Sequence, residues 1–173
     1  MRLVPTPVAS QLTGLSTEQL REWTSRRALV PADVRPRQKG SPAQFSWQTV
    51  LVLRLALLLR HQFGVELQFH KENFTRLRKV LHSTSFIALW GRRLALTWQG
   101  ELSLLDDQTS LPVGDTILIH LDPHLAIIRD GFALPDAAAA TAAGQLDLFS
   151  LSPVRAVTRS LKAANARKQR RSA

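Results

Sequence analysis

Apolar positions recur at helical spacing through the first eighty residues and change to short alternating or continuous runs after Ser85. Behind Thr6 and Pro7, Ala9 and Leu12 share one face of a short helix that stops at Gly14, a residue free to take φ > 0. Ser16 followed three residues later by Gln19 predicts a capping box opening a second helix. In that helix Leu20 and Trp23 face inward, leaving Thr17, Glu18, Arg21, Glu22 and Ser25 to solvent. Two short helices with glycine in the turn make a helix-turn-helix, whose second helix normally enters a DNA major groove, N-terminal residues foremost. The same arrangement also serves as ordinary core packing, so its neighbours decide the reading.

Those neighbours are basic. Arg26 and Arg27 follow, and then a loop over 31–45 with three prolines, one glycine, and Arg35, Arg37 and Lys39. Pro36 and Pro42 stiffen it, and Lys39-Gly40 supplies a turn. Phe45 and Trp47, flanking a Ser46 cap, anchor its end to the core. The segment from Trp47 to about Phe63 is apolar nearly all round and reads as a central buried helix ended by Gly64. A further helix over about 67–82 carries Phe74, Leu77 and Leu81 on one stripe.

Beyond Ser85, four runs read as short strands of an antiparallel sheet: Phe86 to Trp90, Leu94 to Trp98, Leu102 to Leu105 and Thr116 to Ile119. Asp122-Pro123 predicts an N-cap with proline at the first helical position. Leu125, Ile127 and Ile128 would then bury that helix against the sheet. Trp90 and Trp98 read as core residues, with a pocket lining as the alternative.

Charge changes the picture through its distribution. Residues 1–82 carry 13 Lys or Arg against 5 Asp or Glu, and residues 83–134 carry 3 against 6. Residues 135–150 hold two aspartates, and residues 151–173 hold 7 basic residues and no acid. Basic ends around an acidic middle point to polyanion contact by the ends. The chain has no cysteine, which removes disulfides and thiolate metal sites and fits a reducing cytoplasm. No apolar run approaches the ~20 residues that span a bilayer, and no signal peptide is recognisable. His120 and His124 are separated by Pro123 and have only Asp122 near them, so a surface or capping role is expected and no metal site. No phosphate-binding glycine motif, nucleophile elbow or paired catalytic carboxylate occurs, so no enzyme and no cofactor is expected.

The order LTGLS, LREW, basic loop, FSWQTVLVLRL and Phe63-Gly64 resembles the MerR family of winged helix-turn-helix regulators, over roughly residues 3–82. The resemblance implies that the loop is a wing on the phosphate backbone. It also implies DNA contacts from Ser16, Thr17, Glu18, Arg21, Glu22, Arg26 and Arg27 and from Arg35, Arg37 and Lys39. The chain departs from the family pattern at several places. Glu18 stands where members often carry Arg, Glu22 where an aromatic is common, and Ala43 and Gln44 occupy the end of the wing. Glu18 remains compatible with base reading, because a carboxylate can accept from cytosine N4. The family's dimerising coiled coil has no counterpart after Ser83, which leaves a homodimer open, and the absence of cysteine argues against thiol-based metal sensing.

In the tail, Gln145, Leu146, Asp147, Leu148 and Phe149 spell QLDLF after an alanine-rich stretch. This resembles the pentapeptide by which bacterial polymerases and repair proteins dock on the β sliding clamp, and it implies an extended peptide filling apolar pockets. The basic end over 151–173 adds phosphate attraction that falls with salt.

The expected fold is α+β. It comprises a winged helix-turn-helix domain (1–82), a small antiparallel β-rich module with a short terminal helix (83–134), and a disordered tail (135–173). The expected function is sequence-specific double-stranded DNA binding by a cytoplasmic bacterial transcription regulator. Two alternatives stand beside it: a replication- or mobile-element-associated adaptor recruiting the clamp, and an excisionase-like architectural protein.

Overall fold

The computed structural model describes residues 2–36, 38, 41–106 and 108–135. The chain divides into two units, 1–139 and 140–173, and the second lies wholly outside the described residues. QLDLF and the basic end therefore also lie outside them.

The first unit mixes helix and sheet: five α-helices and two small antiparallel sheets among the described residues. The order begins β1 (Val4–Pro5), α1 (Thr6–Thr13) and α2 (Thr17–Arg21), which continues into a π-helical turn over Glu22–Arg26. After a loop come β2 (Gln44–Phe45), α3 (Trp47–Phe63), a 3-10 turn at Leu67–His70 and α4 (Lys71–Ser83). The chain then forms β3 (Arg93–Thr97), β4 (Leu102–Leu105), β5 (Thr116–His120) and α5 (Asp122–Phe132).

The central helix is α3. Val50, Leu51, Val52 and Leu53 are consecutive and all fully buried, which requires neighbours on every side, and α1, α4 and α5 pack around it. Ser46 Oγ accepts from Thr49 N at 3.3 Å at its start, and Gly64 closes it in the left-handed region. Phe74, Leu77 and Leu81 of α4 are buried, as the stripe predicted. One hydrophobic core runs from Val4 to Phe132, with members on both sides of residue 82.

Three expectations are corrected here. Phe86 to Trp90 is not a strand: Ile87–Leu89 form a 3-10 turn, with Ser85 Oγ accepting from Ala88 N at 3.3 Å. Phe86 and Leu89, three apart, are buried while Ile87 is 37% exposed, so burial there follows a helical repeat. The three remaining runs form the sheet, in the order β4-β3-β5. Secondly, Asp122 does not cap its own helix. Its carboxylate accepts from Gly91 N at 2.8 Å, the N-cap position is Leu121, and Ile127 stays 37% exposed. Leu125 and Ile128 are buried, and α5 packs on α1 and α3. Thirdly, Trp98 is 71% exposed at the sheet's end, so it is not core, whereas Trp90 is half-buried against Phe86.

Ala28 has φ 49°, a left-handed conformation that costs a residue with Cβ about 1–2 kcal/mol. This strained residue ends the π-helical turn and directs Leu29 and Val30, both 2% exposed, into the core. Ala28→Gly is expected to raise stability by about 0.5–1 kcal/mol after its larger unfolded-state entropy is set against the relief. The urea midpoint measures this; an unchanged or lower midpoint would mean that the site carries no strain.

Candidate nucleic-acid interface

The site is built from α2 upward. Gly14, at φ 81°, ends α1, and its N–H donates to Ser10 O at 3.0 Å. Ser16 then caps α2: its Oγ accepts from Gln19 N at 3.1 Å, and Gln19 Oε1 accepts from Ser16 N at 3.0 Å. This reciprocal pair fixes the direction in which the α2 N-terminus points. Leu20 is fully buried beneath the helix, and Thr24, 6% exposed, takes the inward position more completely than the half-buried Trp23. Ser16, Thr17, Glu18, Arg21, Ser25, Arg26 and Arg27 are exposed.

Glu22 departs from the expected pattern. It is half-buried, and its carboxylate accepts from Arg27 Nε at 3.0 Å and Arg26 Nη1 at 3.4 Å. The pairs are surface-exposed and contribute little stability, but they share one acid between the two arginines and lower the free positive charge at that end of the helix. Arg21 has no acidic partner among the described residues.

The loop between α2 and β2 is tied down at its base. Val34 N donates to Gln44 O at 3.1 Å and Gln44 N to Val34 O at 3.0 Å, a closed pair at the base of the loop. Asp33 accepts from Ser46 N at 2.7 Å, so the loop is fastened to the start of α3. Arg78 Nη1 donates to Pro31 O at 2.6 Å, which adds a tie to α4. β2 pairs with β1, placing Phe45 (1% exposed) beside Val4. Arg35 is exposed, while Arg37 and Lys39 lie outside the described residues.

Helix and loop thereby enclose a cleft of about 460 Å³. Thr17, Arg21 and Ser25 line it from α2, and Pro36, Gln38 and Ser41 line it from the loop. Leu20 and Phe45 also contribute to its walls. The cleft thus combines one guanidinium, without an acidic partner among the described residues, with hydroxyl and amide groups, the groups that meet phosphates and base edges. Glu18, Arg26 and Arg27 do not line it; they border a second concavity, beside Arg60 and His61.

A part-buried polar link lies away from the cleft. Arg54 Nε donates to His124 Nδ1 at 3.0 Å, and Arg54 Nη1 donates to Leu12 O at 2.8 Å, joining α3 to α5 and to the end of α1. His124 is 9% exposed, which corrects the expected surface or capping role. Burial, and then the Arg54 charge, push its pKa below the ordinary histidine value. A lowered folded-state pKa means that the unfolded chain takes up the proton first. Stability is therefore intact above the unfolded value of about 6.5 and falls as pH drops below it. Urea midpoints should decline from pH 7 toward pH 5, and His124→Gln, which keeps an acceptor but does not titrate, should flatten that decline; an equal decline in both proteins would assign it to other groups.

His120 is exposed on β5, and no group of three His, Asp or Glu among the described residues is placed to hold a metal ion. No helix among them is long and apolar enough to cross a membrane. Neither a scan against protein-family models nor a search of curated proteins finds a match to this chain.

Proposed function

We propose that this protein binds double-stranded DNA sequence-specifically as a winged helix-turn-helix regulator of transcription. In this reading α2 enters the major groove with Thr17 and Arg21 toward the base edges, and the loop carrying Arg35, Arg37 and Lys39 is the wing on the phosphates. The observation that carries it is the cleft in which the exposed face of α2, with Arg21 lacking an acidic partner among the described residues, stands beside a loop closed by the Val34–Gln44 pair. The excess of basic residues over 1–82 supports it, because phosphate attraction supplies most of the sequence-independent affinity.

The absence of cysteine makes a direct test available. A single cysteine at Thr17 is loaded with an iron chelate that cuts nearby DNA, and a second protein carries the chelate at Ser103. The reading predicts localised cuts from Thr17→Cys and none from Ser103→Cys; cuts of equal strength from both would remove α2 from the interface.

The pentapeptide Gln145 to Phe149 favours a second reading, an adaptor that locates on DNA and recruits the β sliding clamp. A synthetic QLDLF peptide that fails to bind purified clamp would end it.

A further inference from the structure

The three-stranded sheet has two edges, β4 and β5, and they differ in how they are protected. β4 has α4 packed against it and is flanked by Glu101 and Asp106. Were β4 to pair antiparallel with its own copy, Leu102 opposite Leu105, those two acids would face each other at both ends. Like charges directly opposite destabilise a strand pair. β5 lacks the charge and proline guards of an edge strand: Thr116-Ile117-Leu118-Ile119-His120 has no lysine, proline or acid. No described strand pairs with its outer edge.

We infer that β5 pairs antiparallel with β5 of a second copy of this chain, joining two sheets into one of six strands. The strand's own order makes the pairing self-complementary about Leu118. Thr116 lies opposite His120, Ile117 opposite Ile119, and Leu118 opposite itself, while Asp115 meets Leu121 and no like charge. The half-buried Ile117, beside Leu96 on the core face, gains an apolar partner in Ile119 of the second copy. Such a contact is isologous, and it closes at two chains without leaving either β5 edge free. The inference stands independently of the DNA reading.

Leu118, half-buried, aligns across the sheet with the buried Ala95 and the exposed Ser103, on the face away from Leu94 and Leu96, so it probes the edge from outside the main core cluster. Sedimentation equilibrium of the full chain should give twice the 19.3 kDa monomer mass. Leu118→Lys should halve that mass while leaving the circular dichroism spectrum unchanged. In this cysteine-free chain, Leu118→Cys should also form a covalent dimer on oxidation. Residues facing each other in an antiparallel pair have Cα atoms about 4.5–5.5 Å apart, within disulfide range, whereas Ser103→Cys should stay unlinked. If Leu118→Lys unfolds, the cysteine pair decides alone. A wild-type chain that sediments as a monomer, a folded Leu118→Lys dimer, or equal cross-linking of the two cysteine variants would overturn the inference.

Discussion

Phe45→Ala is expected to lower the free energy of unfolding by about 3–5 kcal/mol, the range for deleting a buried phenylalanine ring. Phe45 is 1% exposed and belongs to three structures at once. It pairs with Val4 in β2, it precedes the Ser46 cap of α3, and it lines the cleft beside Leu20. The ring's removal opens a cavity between the loop base and α2, beside Leu20. The urea midpoint should fall with little change in slope. DNA binding by the folded fraction should weaken as well, because the loop and α2 lose their shared footing. A loss below about 1 kcal/mol would mean that the site collapses around the smaller side chain and that the loop is held by its hydrogen bonds alone.

Arg21→Ala is expected to remove discrimination between a cognate duplex and random DNA by about 1–3 kcal/mol, roughly 5- to 150-fold. Affinity for random DNA should change far less. Arg21 is exposed, has no acidic partner among the described residues and lines the cleft, so its guanidinium is available to a base edge or a phosphate. The two uses separate by measurement. A base contact lowers the cognate affinity selectively, whereas a phosphate contact weakens all duplexes alike and reduces the salt slope by about one. Arg26→Ala should have the smaller effect of the two arginines, because its guanidinium already meets Glu22 at 3.4 Å. Equal affinities of wild type and Arg21→Ala on every duplex would take Arg21 out of the interface.

Local signals in this chain are legible and non-local ones are not. Gly14, the Ser16–Gln19 box, the Ser46 cap and Gly64 act within a few residues, and each helix boundary they predict is where the structure has it. The continuous apolar run from Phe86 to Trp90 satisfies both a strand and a turn, so only packing decides. Phe86 packs edge-on against Trp47, with centroids 5.3 Å apart, and the run winds to bury Leu89 as well. Asp122 has the chemistry of an N-cap but is taken by Gly91, 31 residues earlier in the chain. Asp33 is silent in the sequence, yet it fastens the loop to the first residue of the α3 cap. The residues lining the α2 side of the cleft follow from helical spacing. Its other wall depends on the Val34–Gln44 pair, which no local pattern announces.

Protection footprinting decides whether the protein binds duplex DNA at a specific site. The full chain is bound to genomic fragments that include the region upstream of its own gene, at two salt concentrations and with excess competitor DNA. A bounded protected site that survives competitor and the higher salt is expected, with any repeat of half-sites reporting the arrangement of two copies. Diffuse protection that disappears with salt or competitor would contradict it, leaving only sequence-independent attraction to phosphate.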